Sequence, residues 1–307
     1  MVLIEEIHHR SARVARRYAS QEDKGTVKYS LELAGGGTIE TVLVLHPGDY
    51  FSLCVSCSVG CPVHCAYCAT GGEPYHGVLK HDEIVAQIEA PIISGDLCKP
   101  LEAVSFMGMG EPLLNFENIV KAAKCFEETW SVKRILLSTI GIPDRIRQLP
   151  AFLDVELYVS LVSTSDSIRS LLIPFRPYYS VNQLLDSLKT FSESSTHPVT
   201  ISYLLLDQVN DRVVEARHLV DILLQQDFEA KVSLRRFCEN DTPFATSPRI
   251  HEFSRTIEES GIEVEIFDSK GKDAYGGCGQ LAQRVPGLRQ TLLCTCADSS
   301  STVPHLK

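Results

Sequence analysis

Five of the chain's 11 cysteines crowd into the short run Cys54-Val-Ser-Cys57-Ser-Val-Gly-Cys61-Pro-Val-His-Cys65-Ala-Tyr-Cys68. That crowding limits the fold more than any other feature of the sequence. A disulfide-stapled secreted domain is normally far shorter than 307 residues, and in a reducing compartment close-set cysteines bind metal or carry out redox chemistry. Cys61, Cys65 and Cys68 have the spacing CxxxCxxC. A four-thiolate zinc site needs a second CxxC pair downstream, and Cys294-Thr-Cys296 has the wrong spacing for one. A [4Fe–4S] cluster normally takes four thiolates, so three leave one iron open to a substrate or cofactor. A zinc knuckle or chance clustering is the plainer alternative.

The remaining composition is that of a globular protein, with 44% apolar and 22% charged residues. It excludes a disordered chain, a collagen and a coiled coil. No apolar run approaches the roughly 18–20 residues of a membrane span, so no membrane association is expected. The charged first residues carry no apolar h-region, which predicts a cytoplasmic protein. Lys plus Arg is 29 against 39 Asp plus Glu, a net charge of 29 − 39 = −10. This opposes a whole-protein electrostatic grip on nucleic acid. His8-His9-Arg10 with Arg13, Arg16 and Arg17 is a candidate local basic patch, although charge runs are more often solvated helix faces.

Along the chain, residues 1–20 read as a short basic helix. Residues 27–33 and 38–45 alternate apolar with polar side chains around Ala34-Gly-Gly-Gly37, the pattern of a β-hairpin. From about residue 49, strands expected at 51–54, 103–107, 134–139, 156–161, 199–205 and 231–234 alternate with amphipathic stretches at 80–93, 116–130, 144–149, 181–192, 211–225 and 250–260. Residues 262–266 read as one further strand. Repeated βα units imply a parallel sheet covered by helices. Six units are too few for the closed eight-fold barrel, so the expected fold class is α/β, an open (β/α)6 partial barrel. The expected organisation is helix and hairpin at 1–48, core at 49–285 and tail at 286–307. Chemistry in such folds collects at the C-terminal ends of the strands. The cysteine run, Gly108-Met-Gly-Glu-Pro112, Ser138-Thr-Ile-Gly141 and Ser160 all fall there.

The cysteine spacing, with Tyr67 before the last thiol and a strand before the loop, resembles the radical S-adenosylmethionine (SAM) superfamily. In that superfamily the open iron binds the amino and carboxylate groups of SAM, and reductive cleavage yields a 5′-deoxyadenosyl radical. A closer resemblance, to the RlmN/Cfr radical-SAM methyltransferases of RNA adenine, is carried by Ile39-Glu-Thr-Val42, Cys54-Val-Ser56, Val59-Gly-Cys61, Cys68-Ala-Thr-Gly71, Phe106 to Asn115, Leu137 to Gly141, Leu206 to Asp211 and Cys278-Gly-Gln-Leu281, in that family's order. It implies Cys61, Cys65 and Cys68 as ligands of a [4Fe–4S] cluster. Gly110, Glu111, Ser138 and Ser160 would contact SAM. Cys278 would carry the methyl group, Cys54 would release the product by forming a disulfide with Cys278, and Glu40 would take the ring proton. An external electron donor such as a flavodoxin or ferredoxin is implied. The residue types suit these tasks, because a thiolate accepts methyl readily where an electron-poor ring carbon does not. Thiol–disulfide exchange then needs a second sulfur nearby. Cys98, Cys125 and Cys238 read as buried apolar residues; Cys57, Cys294 and Cys296 have no assigned role.

The chain departs from the family pattern in three places. Only about 25 residues precede the hairpin, where a helical RNA-binding domain is usual in the family. Val162 stands where a His follows Ser-Leu, and Cys238 where an Asn is usual. The basic stretch before Cys278 is reduced to Lys270-Gly-Lys272-Asp-Ala. Three readings therefore follow. The first is methylation of carbon 2 or 8 of adenine in ribosomal or transfer RNA. The second keeps the chemistry but acts on a small heteroaromatic metabolite or a peptide. The third is a non-catalytic Fe–S or SAM-binding protein, against which the joint presence of Glu40, Cys54 and Cys278 argues.

Overall fold

The computed structural model of the chain describes residues 11–282. Strands β1 (Ala12–Ala19), β2 (Val27–Leu33), β3 (Thr38–His46) and β4 (Tyr50–Cys54) form an antiparallel meander. From β4 onward every pairing in the main sheet is parallel, through β7 (Leu101–Phe106), β8 (Arg134–Thr139), β9 (Glu156–Ser160), β10 (Val199–Leu205), β11 (Ala230–Arg236) and β12 (Val264–Phe267). Two short strands, β5 (Ser58–Val59) and β6 (Gly77–Val78), pair with each other inside the cysteine loop. The sheet order β1-β2-β3-β4-β7-β8-β9-β10-β11-β12 leaves β1 and β12 as free edges. The barrel is open, as the count of βα units requires.

The two faces of the parallel sheet differ. Ile135 and Leu137, Leu157 and Val159, Ile201 and Tyr203, and Val232 and Leu234 are buried in the main apolar core. They pack there with apolar residues of α3 (Phe116–Trp130), α6 (Val181–Ser192), α7 (Val213–Leu224) and α8 (Ile250–Glu258). The alternate positions, Ser138, Ser160, Ser202 and Arg235, line a central cavity. A parallel sheet covered on both faces would be apolar throughout. Here period-two alternation survives because the inner face borders a cavity.

The expected strands and major helices are present; besides the unforeseen pair β5 and β6, the differences are these. Residues 12–19 are an edge strand and not part of a basic helix; residues 1–10 lie outside the described ones. Ladder bonds from β2 outweigh the helical propensity of Ala-Arg-Val-Ala-Arg-Arg. The stretch at 80–93 divides into α1 (His81–Val85), a single 3-10 turn and α2 (Glu89–Ile93). Pro91 has no N–H to continue the helical ladder. Two further short helices, α4 (Pro143–Gln148) and α5 (Asp166–Leu172), complete the set; α5 was not foreseen. Cys98 is exposed and Cys125 half-buried, so neither is a core residue.

One buried side chain fixes the strand ends around the cavity. Asn210, wholly buried, accepts from Leu206 N (2.8 Å) and donates to Leu204 O (2.7 Å) and Val162 O (2.6 Å). Val162 has φ +53°, a costly conformation for a β-branched residue that only its surroundings can hold. Asn210→Ala leaves three backbone groups without partners. The expected loss is roughly 2–4 kcal/mol in urea unfolding, and a loss below 0.5 kcal/mol contradicts this account.

Candidate active site

The cysteine loop leaves the C-terminal end of β4. It is tied down by Val55 N donating to Ser105 O (2.9 Å) and Cys57 N to Met109 O (2.8 Å). Farther along, Ala66 N donates to Leu172 O (2.9 Å) and Cys68 N to Cys65 O (3.1 Å). A small apolar cluster that includes Val63, Ile140, Val162, Leu172, Leu206 and Phe237 supports it, with Cys61, Cys65 and Tyr67 packed against it. Burial pushes the Cys61 thiol up to about 12 and also raises Cys65 and Cys68, each further disfavoured as thiolate by its neighbouring sulfurs. Thiols in this environment hold their protons until a metal cation displaces them.

Gly108-Met-Gly-Glu-Pro112 lies directly on this loop. A Cβ on Gly108 would stand 2.7 Å from the Val55 carbonyl carbon. One on Gly110, where φ is +103°, would stand 2.1 Å from Ser58 Oγ and 2.7 Å from Cys57 Sγ. The glycines therefore serve close packing of two loops. Glu111 caps the following 3-10 turn, Pro112–Asn115, by accepting from Leu113 N (3.0 Å). It also accepts from Thr139 Oγ1 (2.6 Å) and Ile140 N (2.8 Å), which binds the glycine loop to the end of β8. Burial raises its carboxyl to about 7 against these three hydrogen bonds.

The segment carrying Cys278 folds back over the cysteine loop. Ala69 N donates to Gly279 O (2.8 Å), and Thr70 Oγ1 to Leu281 O (2.9 Å). Asn240 Nδ2 holds both Tyr67 O (3.1 Å) and Gly279 O (3.0 Å). Cys278 itself is exposed. Its sulfur lies near enough to Cys54 to help push that thiol up to about 12, behind the larger effect of burial. It acts likewise on Cys238, raised to about 11 chiefly by burial. Cys278 N donates to Ser269 Oγ (3.3 Å), and Ser269 also hydrogen-bonds the Cys238 side chain. Cys238 is buried, as expected, and also lies near the exposed Cys278 thiol.

Cys61, Cys65, Cys68, Gly110, Glu111, Ser138, Ser160 and Cys278 all line the central cavity. Cys54, at the end of β4, is close enough to Cys278 for the two thiols to interact electrostatically. Glu40 faces a neighbouring cavity with Arg16, Tyr18, His76 and Ala282. Its carboxylate accepts from Lys28 Nζ (3.2 Å) and Ala282 N (2.8 Å). Burial pushes the Glu40 carboxyl up and the Lys28 ammonium down, and the attraction between the two opposes both shifts. Lys28, paired with Glu40, and Arg235, on the cavity wall, were not singled out by the pattern of the sequence, whereas Cys238 was marked there as a departure from the family's Asn. The alternation Lys231, Ser233, Arg235 was the available signal for Arg235. Cys294 and Cys296 lie outside the described residues.

The donor set suits an iron–sulfur group: three thiols on one loop, beside one cavity, in an apolar setting that favours metal over free thiolate. Among the described residues no three His, Cys, Asp or Glu side chains close around a single metal ion. Ligands of a cubane are spread over separate irons and need not do so.

Fold and site together define a radical SAM enzyme, and residues 55–220 match the family model described as the radical SAM superfamily. The chain is 38% identical over 272 residues to a protein of Thermotoga petrophila called a probable dual-specificity RNA methyltransferase RlmN, covering 87% of this chain and 78% of that one. A Francisella tularensis protein called a dual-specificity RNA methyltransferase RlmN is 32% identical over 285 residues, covering 87% and 75%. Among solved structures, a radical SAM methyltransferase from Sphaerobacter thermophilus superposes with a TM-score of 0.83 at 30% identity, over 89% of this chain and 81% of that one. The chain belongs to the RlmN family of radical SAM methyltransferases, whose cofactors are SAM and an iron–sulfur cluster. No helix among the described residues is long and apolar enough to cross a membrane.

Glu111 gives a stability signature. Its folded-state value of about 7 lies above the ordinary 4.5, so the folded protein holds this proton more tightly than the unfolded chain. That contribution is complete below about pH 4.5 and is lost as pH rises through about 7. Between pH 5 and pH 8, without added SAM, the wild type should lose on the order of 3 kcal/mol more than Glu111→Gln. Parallel pH profiles of the two proteins in urea denaturation would refute the assignment.

Proposed function

We propose that the enzyme methylates carbon 2 or carbon 8 of adenine in RNA, using Cys278 as the methyl carrier and a [4Fe–4S] cluster held by Cys61, Cys65 and Cys68. The observation that carries this reading is the position of Cys278. It borders the cavity of the three loop thiols and is near enough to Cys54 for the two sulfurs to interact electrostatically. When bound, the cluster and SAM supply one-electron cleavage of SAM to a carbon radical.

The chain's own residues account for the remaining steps. Gly110, Glu111, Ser138 and Ser160 line the wall that would hold SAM. The Cys278 sulfur takes a methyl group; one hydrogen atom of that methyl would pass to the carbon radical that SAM supplies, the remaining methylene would bond to the ring carbon as the bridge, and the odd electron left on the ring would return to the cluster. The Cys54 sulfur then attacks the Cys278 sulfur, the carbon–sulfur bond breaks, and its electron pair stays on the new methyl carbon, which picks up a proton. Glu40 removes the proton of the ring carbon, a task that its raised carboxyl suits. The Cys54–Cys278 disulfide returns to two thiols with two electrons from an external donor of the flavodoxin or ferredoxin kind. This chemistry draws on the core at 49–285 together with Glu40 of the hairpin, in a reducing cytoplasm.

The RNA assignment draws on the names of the relatives. Cys278→Ala is expected to abolish methylation of an adenine-containing RNA. Cys54→Ala is expected to trap a covalent protein–RNA adduct visible in intact-mass spectra. If wild-type protein incubated anaerobically with SAM carries no methyl on Cys278, the carrier reading fails. If it carries methyl but no tested RNA binds in low salt, the RNA assignment fails alone.

A further inference from the structure

Arg235 is the most unusual charge in the protein. It points inward from β11, one register step above Ser233, and is 9% exposed. Its guanidinium stands 3.9 Å from the centroid of the Phe267 ring and 5.4 Å from that of Tyr158. Among the described residues it has no hydrogen bond and no carboxylate within ion-pair distance, and its Nε is buried without a partner. Other inward cations are matched: Arg134 holds Glu156 (2.6 Å) and Lys231 holds Glu263 (2.7 Å).

A buried guanidinium left without an acceptor is costly. Ring faces stabilise a cation but accept none of its directed hydrogen bonds. Arg235 borders the central cavity beside Ser202 and Leu204. Tyr158, beneath it, borders a second cavity toward the N-terminal ends of the strands. Arg235 with its two rings therefore forms a floor between them, its cation open to the upper side. A planar fork of N–H donors in such a place matches a carboxylate or phosphate oxygen pair.

We infer that Arg235 is an anion-binding subsite at the floor of the central cavity, which takes a carboxylate or phosphate group of a molecule lodged there. The inference rests on that cavity being the ligand site proposed above. Two occupants carry such a group. One is the amino-acid end of SAM, and the other is the phosphate of the target nucleotide.

Calorimetric titration of the anaerobically reconstituted protein tests this with two pairs of probes. SAM is compared with decarboxylated SAM, and adenosine monophosphate with adenosine. Within at least one pair the anionic member should bind about tenfold or more tighter to wild type. Because a bound cluster would itself hold the SAM carboxylate, the change on substitution is what is read: Arg235→Gln should cut the preference about tenfold, while Arg235→Lys keeps part of it. A cut in the SAM pair assigns the subsite to the cofactor, and a cut in the nucleotide pair assigns it to the substrate. Equal affinities within both wild-type pairs overturn the inference, as does a preference of unchanged size in Arg235→Gln. Should Arg235→Gln fail to fold, Arg235→Lys decides, because a purely structural arginine leaves the size of both preferences unchanged there. Methylation is not read in this experiment, so a preference lost with Arg235→Gln would stand even if the Cys278 carrier reading failed.

Discussion

The docking of the Cys278 segment on the cysteine loop is the contact on which the site depends. Two stretches more than two hundred residues apart meet through Ala69 N to Gly279 O and Thr70 Oγ1 to Leu281 O, with Asn240 bridging both. All of these are bonds to backbone oxygens, so they fix position without demanding particular side chains on the docked segment. They bring an exposed thiol to the mouth of a cavity whose other thiols are half-buried. Ala282 N also ends on Glu40, so the same segment links the central cavity to the neighbouring one. Movement of this short segment would alter both places at once.

Buried charge is unevenly distributed around that contact. Lys28 and Glu40 neutralise each other inside the hairpin. Glu111 is satisfied by three donors, only one of them a side chain. Such an arrangement holds a carboxylate in place but gives it no countercharge, which leaves its proton affinity high. A ligand that brings a positive charge near Glu111 would find a carboxylate already oriented. Arg235, across the sheet, is the opposite case: a cation already oriented and lacking an acceptor. The cavity is thus polarised from β7 and β8 toward β11.

Much of this was legible from the residues. Period-two strands and amphipathic helices gave the parallel core, because the outer face must pack and the inner need not. The spacing of Cys61, Cys65 and Cys68 marked the ligand loop, since thiols on one loop need no tertiary knowledge to be grouped. What the sequence hid were properties that depend on partners distant in the chain. The edge strand at Ala12–Ala19 exists because β2 offers a free ladder, and nothing local announces it. Cys238 looked like a small apolar residue until Ser269 and Cys278 were placed beside it. Gly110, expected to contact SAM, lines the cavity, but the close packing of the loop at 108–110 on Val55, Cys57 and Ser58, which leaves no space for a Cβ, was not legible.

The surface charge bears on how a substrate is selected. Several of the described cations that could have met a phosphate backbone are paired within the protein. Arg13 contacts Glu32, Arg17 contacts Asp96, Lys270 contacts Asp23 and Lys272 contacts Asp268. Exposed pairs of this kind add little stability, but each one lowers the positive field available to a polyanion. With a net charge of −10, counterion release can contribute little to affinity. Selection then falls to short-range contacts inside the cavity, where the dielectric is low and a single oriented charge weighs more than several on the surface. The residues that decide what is methylated are therefore to be sought on the inner faces of β8 to β11, rather than along the basic edge strand to which the sequence first drew attention.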